Sequence, residues 1–206
     1  MGPVCWQCSG LIDGPLFCGA CGALQSPPSD YFAFFGLGSK LSVDPAALQK
    51  RFYELTRLLH PDRFTRKPER EQSHSLEASS ILNDGYRVLR DPVERAEYVL
   101  RGNGRGVNER RTQAPPELLE EVFELNMALD ELRSGDQSAR PAIEQACAGF
   151  EGMLAEADSS LMASFEAWDS GGGDTALDRI RSILDRRKYI QNLVRDASAA
   201  LTAPVA

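Results

Sequence analysis

Long hydrophobic runs are missing from this chain. No stretch of about 18 consecutive apolar residues occurs in its 206 residues, so a membrane-spanning helix is not expected. The opening Met1-Gly2-Pro3-Val4-Cys5 has no charged and apolar leader, so secretion is not expected either. Glycine-rich loops of the phosphate-cradling kind are absent, which argues against nucleotide binding by the chain itself. Catalytic constellations are missing as well: His74 has no nucleophile or metal-spaced partner near it in sequence, and the Asp and Glu pairs fall on solvated helix faces. The chain is therefore not expected to be an enzyme. A broad cationic face is lacking too. The net charge is -7, residues 44 to 70 hold seven Lys/Arg against four Asp/Glu, and residues 115 to 206 hold eight against seventeen. A duplex nucleic-acid binder needs many cations spread over one face, whereas a local basic patch beside an acidic C-terminal half suits a protein with two different protein partners.

What is present is an ordinary soluble composition, 42% hydrophobic and 26% charged. Breaks at Gln25-Ser26-Pro27-Pro28-Ser29, Gly102-Asn103-Gly104-Arg105-Gly106 and Ala114-Pro115-Pro116 divide it into units at 1–26, 27–101 and 115–206, with a linker at 102–114.

The middle unit reads as helices. Asp44-Pro45 is a cap followed by proline at the first helical position, and Leu48, Phe52, Leu55 and Leu59 recur on one face until Pro61 ends the helix. A second helix from about Pro68 to Leu89 places Ala78, Ile81, Leu82, Gly85 and Leu89 together, and Asp91-Pro92 opens a short third one through Tyr98. Ahead of them, Ser29 to Leu37 reads as one helical turn ended by Gly36, whose aromatics plug the helix pair. In the last unit, Leu118, Val122, Leu125, Leu129 and Leu132 form one stripe, Ile143 to Phe165 a second, and Ile180, Ile183, Leu184, Gln191 and Val194 a third. Short connections make antiparallel neighbours, so a three-helix bundle is expected, and the fold class is all-α.

Cys5-Trp6-Gln7-Cys8 and Cys18-Gly19-Ala20-Cys21 present two pairs of thiols at the spacing that wraps a tetrahedral metal. Gly10 and Gly22, just after each pair, ease the turns. A compact structural zinc knuckle is expected, held by Cys5, Cys8, Cys18 and Cys21. A disulfide scaffold, a redox dithiol at Cys5 and Cys8, and an iron-sulfur cluster on the same ligands are the alternatives. Cys147, alone on a helix, reads as a small buried apolar residue.

His60-Pro61-Asp62 follows directly on the first amphipathic helix and precedes Arg63-Phe64-Thr65-Arg66-Lys67. Lys50 and Arg57 point away from the Leu48–Leu59 stripe and form a cationic ridge leading to the tripeptide. A helix stop followed by a turn accounts for the tripeptide alone, but not for its place between two core-striped helices beside that ridge. Here the sequence resembles the J-domain family, whose His-Pro-Asp lies between two helices of a four-helix unit. More narrowly, Asp30 to Leu37, Leu59-His60-Pro61-Asp62-Arg63-Phe64, Ile81-Leu82-Asn83-Asp84-Gly85-Tyr86 and Asp91-Pro92-Val93-Glu94-Arg95-Ala96-Glu97-Tyr98-Val99-Leu100 resemble the HscB branch, the iron-sulfur co-chaperones. The paired Cys motifs are similar to those of its eukaryotic members.

The resemblance implies a division of labour. The tip, with His60, Pro61, Asp62, Lys50, Arg57 and Arg63, would engage a seventy-kilodalton heat-shock chaperone of the HscA/DnaK class and stimulate its ATPase through contacts alone. The C-terminal bundle would hold an iron-sulfur scaffold protein of the IscU class. In that bundle Leu119, Phe123 and Met127 lie roughly 140° from the core stripe, accompanied by Glu120 and Glu124, and Tyr189 and Leu193 face away from the stripe of the last helix. Such residues suit a binding surface, unless each helix simply needs a wide apolar band to touch two neighbours. Leu119, Phe123 and Glu124 match the family's docking pattern. The compartment implied is the bacterial cytoplasm, or the mitochondrial matrix if a transit peptide has been removed. Three other readings remain in view: a general J-domain co-chaperone, a zinc-ribbon nucleic-acid-binding factor and a thiol oxidoreductase.

Overall fold

The computed structural model describes residues 3–106 and 115–202; residues 107–114, which hold most of the expected linker, lie outside them. Among the described residues the regular structure is helical. The helices are α1 (Tyr31–Phe35), α2 (Pro45–Leu59), α3 (Glu69–Arg90), α4 (Pro92–Gly102), α5 (Leu119–Arg133), α6 (Arg140–Asp169) and α7 (Gly173–Thr202). The all-α class expected from the periodicity is what forms. The chain separates into two compact units, Met1–Tyr98 and Val99–Ala206, so the cysteine-bearing segment belongs to the same unit as the hairpin that follows it.

In the first unit, Asp44 caps α2 by accepting from the Ala46 N–H at 2.9 Å, and Leu48, Leu55 and Leu59 are buried. Phe52 is only half-buried; its ring stacks on Tyr86 at 4.2 Å. The end of α2 is held by α3, whose Ser75 hydroxyl donates to the Leu59 carbonyl at 2.7 Å. Leu59 thus meets Ser75 while Phe52 meets Tyr86, so the two helices run antiparallel. The short α1 starts at Asp30, which accepts from the Ala33 N–H, and ends at Gly36 with φ 68°. It buries Phe32, Phe34 and Phe35 against the pair. Arg95 of α4 is buried, and its guanidinium donates to the carbonyls of Leu41 and Leu89, which locks the loop before α2 to the end of α3.

Gly85 marks the tightest approach. A Cβ there would stand 3.0 Å from both Phe35 Cε2 and Tyr31 Cδ1. Neither ring can retreat, since Phe35 is buried and Tyr31 is stacked on Tyr98 at 4.7 Å. Gly85→Val is therefore expected to cost about 2–3 kcal/mol by overpacking, even though glycine is a poor helix former. A urea titration checks this; an unchanged midpoint would show that α1 has room to move.

The second unit is the expected three-helix bundle. Leu118, Leu125, Leu129, Ile143, Phe150, Ile190 and Ala197 are among its buried core, with Cys147 packed half-buried against it. α6 and α7, of 30 residues each, run about 45 Å, while α5, of 15, runs about half that. The short helix packs along the part of the long pair that carries Ile143, Phe150, Ile190 and Ala197. Arg105, just after α4, pairs with Asp174 and Asp178 of α7 at 3.0 and 2.9 Å. On α7, Gln191 does not join the stripe proposed for it: it is exposed, and Ile190 takes the buried position.

Candidate functional site

The His60-Pro61-Asp62 segment sits at the tip of the hairpin as one turn of 3-10 helix, Pro61–Arg63. Local bonds define its shape. The Asp62 N–H donates to His60 Nδ1 at 3.3 Å, the Arg63 N–H to the His60 carbonyl at 2.9 Å, and the Thr65 hydroxyl to the Asp62 carbonyl at 3.2 Å. His60 Nδ1 also lies 3.6 Å from the Asp62 carboxylate oxygen Oδ2. The His60 and Asp62 side chains are 55% and 87% exposed, whereas Phe64 directly behind them is buried. Lys50, Arg57 and Arg63 are exposed as well. Between Lys50 and Arg57 on the same outer face stands Tyr53, an exposed aromatic absent from the core stripe, and Leu58 is exposed beside the tip. The signal for both was their position off the Leu48–Leu59 stripe.

The four cysteines come together ahead of this hairpin. Their sulfurs all lie within 4.8 Å of one another, with Cys5 to Cys21 and Cys8 to Cys18 both at 3.7 Å. A disulfide needs about 2.05 Å. A tetrahedron of sulfurs around a zinc ion with bonds of about 2.3 Å has edges of about 3.8 Å, so the donor set and spacing fit a tetrahedral metal. The two lobes repeat one geometry. The Cys5 N–H donates to the Gly10 carbonyl and the Ser9 N–H to the Cys5 carbonyl, and Cys18, Ala23 and Gly22 repeat both bonds. The left-handed residue of each lobe follows the second cysteine directly: Gly22 with φ 71° and Ser9 with φ 59°. Gly10, expected to ease the first turn, lies one residue beyond that strained position.

The thiols are unequal without a metal. For Cys5 burial raises the pKa, but hydrogen bonds from the Cys8 and Gln7 backbone and from neighbouring thiols prevail and bring it down to about 6. For Cys21 the Ala23 N–H lowers the pKa, but burial and the other three cysteines prevail and push it up to about 12. Loading a metal at neutral pH must therefore expel the Cys21 proton, and acid opposes loading. We expect proton release on titrating zinc into reduced apoprotein, and weaker zinc retention at pH 5 than at pH 8. Binding without proton release would place the metal elsewhere.

On α5, Leu119, Phe123 and Met127 form one ridge and are 58%, 66% and 51% exposed. Glu120 and Glu124 are exposed beside it. Glu124 and Glu121 also line a groove of about 300 Å³ between α5 and α6, floored by Leu125, Ala146 and Phe150. Tyr189 and Leu193, expected to face away from the stripe of α7, are half-buried and pack in part against the bundle core. α7 touches both α5 and α6, so its apolar band must be wider than one stripe.

A helical hairpin with His60-Pro61-Asp62 at its tip, followed by a helical bundle, is the architecture expected of a J-type co-chaperone. No family model matches the chain. The human "Iron-sulfur cluster co-chaperone protein HscB" is 31% identical to it over 199 residues, 93% of this chain and 79% of the human one. The "Co-chaperone protein HscB homolog" of Vibrio vulnificus (strain YJ016) is 32% identical over 166 residues, 80% of this chain and 92% of its own. The crystal structure of human co-chaperone protein HscB superposes with a TM-score of 0.69 at 27% identity, covering 97% of this chain and 99% of that one. The chain belongs to the HscB family of iron-sulfur cluster co-chaperones.

Proposed function

We propose that this chain is an adaptor that brings an IscU-class iron-sulfur scaffold protein to an HscA/DnaK-class seventy-kilodalton heat-shock chaperone and triggers hydrolysis of the chaperone's ATP. The observation that carries the reading is the tip: two polar side chains, His60 and Asp62, are held outward by a bonded turn on a buried anchor, Phe64. Lys50, Arg57 and Arg63 supply positive charge around it for an acidic partner surface. The tip acts by contact, with no proton transferred to or from His60.

The ridge of Leu119, Phe123 and Met127, edged by Glu124, is the surface for the scaffold protein. Large apolar side chains this exposed on a bundle helix, rimmed by carboxylates, have the composition of an interface centre. Tyr189 and Leu193, half-buried on α7, contribute at most a partly covered edge to the contact. Structural zinc is the metal assigned to Cys5, Cys8, Cys18 and Cys21, where it fixes the two lobes and supplies no chemistry.

One pull-down tests the reading. Immobilised wild-type protein is expected to retain the scaffold protein with or without nucleotide, and the chaperone only with ATP. Retention of neither partner refutes it.

A further inference from the structure

Glu71 and His74, in the first turns of α3, are buried titratable side chains that the proposed co-chaperone cycle does not use. Both reach one residue of the cysteine-bearing segment. The Leu24 N–H donates to Glu71 Oε2 at 3.1 Å. The Leu24 carbonyl lies 3.2 Å from His74 Nδ1 and also accepts from Trp6 Nε1 at 2.8 Å. A carbonyl can only accept, so His74 carries its proton on Nδ1. Trp6 meets the His74 ring edge-on at 6.3 Å and lies under the Arg70 guanidinium at 5.1 Å. Arg70, Glu71 and His74 therefore grip the segment through Trp6 and Leu24, the latter fully buried.

The same two residues lead to the sulfurs. Trp6 lies within the first cysteine pair, and Leu24 follows the second by three residues. Gln25 donates from Nε2 to Cys5 Sγ at 3.3 Å and to the Ala23 carbonyl at 2.8 Å, while its Oε1 accepts from the Trp6 N–H. On the far side, the same turns of α3 hold the His-Pro-Asp loop. Gln72 Nε2 donates to the Lys67 carbonyl at 2.8 Å, and Ser75 holds the Leu59 carbonyl, one residue before His60.

We propose that metal occupancy of the four-cysteine site sets the order of the His-Pro-Asp loop, with Glu71 and His74 as the positioning residues that couple them. Among the described residues the cysteine-bearing segment has no helix and only two isolated bridges, Val4 with Leu11 and Phe17 with Leu24, so the metal is the main cross-link between its two lobes and its loss loosens both. Its departure removes the backbone partners of Glu71 and His74 together. A buried carboxylate left unpaired draws water, so the turns of α3 that also fasten the loop open more often. The functional consequence rests on the co-chaperone reading above; the coupling itself does not.

Hydrogen exchange on the full chain tests it. The amides of Phe64, Lys67 and Gln72 are each bonded within the loop or the start of α3, to the carbonyls of Pro61, Phe64 and Pro68. After the metal is stripped by chelation under reducing conditions, these amides are expected to exchange about tenfold faster, while those of α6 and α7 keep their rates. The double variant Glu71→Ala/His74→Ala, with its metal content verified as unchanged, is expected to show the same acceleration. Wild-type exchange rates at these three amides in either sample overturn the proposal. In a parallel ATPase assay, stripped protein is expected to need severalfold more for half-maximal stimulation. Loaded wild-type protein that stimulates nothing refutes the co-chaperone reading and leaves the exchange rates to decide the coupling.

Discussion

Replacing His60, Pro61 and Asp62 together with alanine is expected to abolish stimulation of the chaperone's ATPase while leaving the fold and scaffold binding intact. The side chains removed are largely solvent-exposed, so little packing is lost. The turn forfeits the bond from the Asp62 N–H to His60 Nδ1 and the fixed φ of Pro61, together costing about 1–2 kcal/mol and confined to the loop. The partner, by contrast, loses both polar side chains of the tripeptide, His60 and Asp62, and keeps only the surrounding cations. Truncations at the centre of an interface each cost about 2 kcal/mol or more, so three at once are expected to weaken productive engagement by at least roughly a hundredfold. Helicity should stay near wild type, and the thermal midpoint should fall by no more than about ten degrees. A variant that still stimulates hydrolysis at the wild-type rate would sink the proposed mechanism.

Phe123→Ala is expected to separate binding from stability on the other unit. Phe123 is 66% exposed, so its truncation should shift folding stability by no more than about 0.5 kcal/mol. If it is the apolar anchor of the scaffold contact, affinity falls by about 2–4 kcal/mol, some thirtyfold to a thousandfold. Leu125, two residues on, gives the contrast. It is buried in the bundle core, and Leu125→Ala is expected to cost about 2–5 kcal/mol of stability. Isothermal titration with the scaffold protein and urea denaturation of both variants decide the matter. A Phe123→Ala chain that binds as tightly as wild type removes the ridge from the proposed interface.

Much of this architecture was legible in the residues because the signals were local. Asp44-Pro45, the Leu48–Leu59 spacing and Pro61 sufficed to bound α2, and Asp91-Pro92 marked the start of α4. The paired cysteines announced a four-sulfur cluster. What failed was what depends on neighbours. Tyr189 and Leu193 read as outward from the periodicity of one helix and are half-buried, since α7 touches two others. Gln191 lost its core position to Ile190 because one stripe drifts around a helix of 30 residues. Ser9 took the left-handed site in place of a nearby glycine, since the turn is set by distance from the second thiol. The grip of Glu71 and His74 on Leu24 joins positions about 50 residues apart and left no trace in spacing.

The buried ring of Phe64 behind an exposed tip has a kinetic consequence. In the metal-loaded chain a loop tied down by its own turn has little conformational freedom left to surrender, so docking of the proposed chaperone partner is expected to proceed without a folding step. Its speed is then governed by how often the molecules collide in a useful orientation. In the proposed complex Lys50, Arg57 and Arg63 would bias those collisions over distances that dissolved ions shorten, so added salt is expected to slow association and leave the lifetime of the complex nearly unchanged.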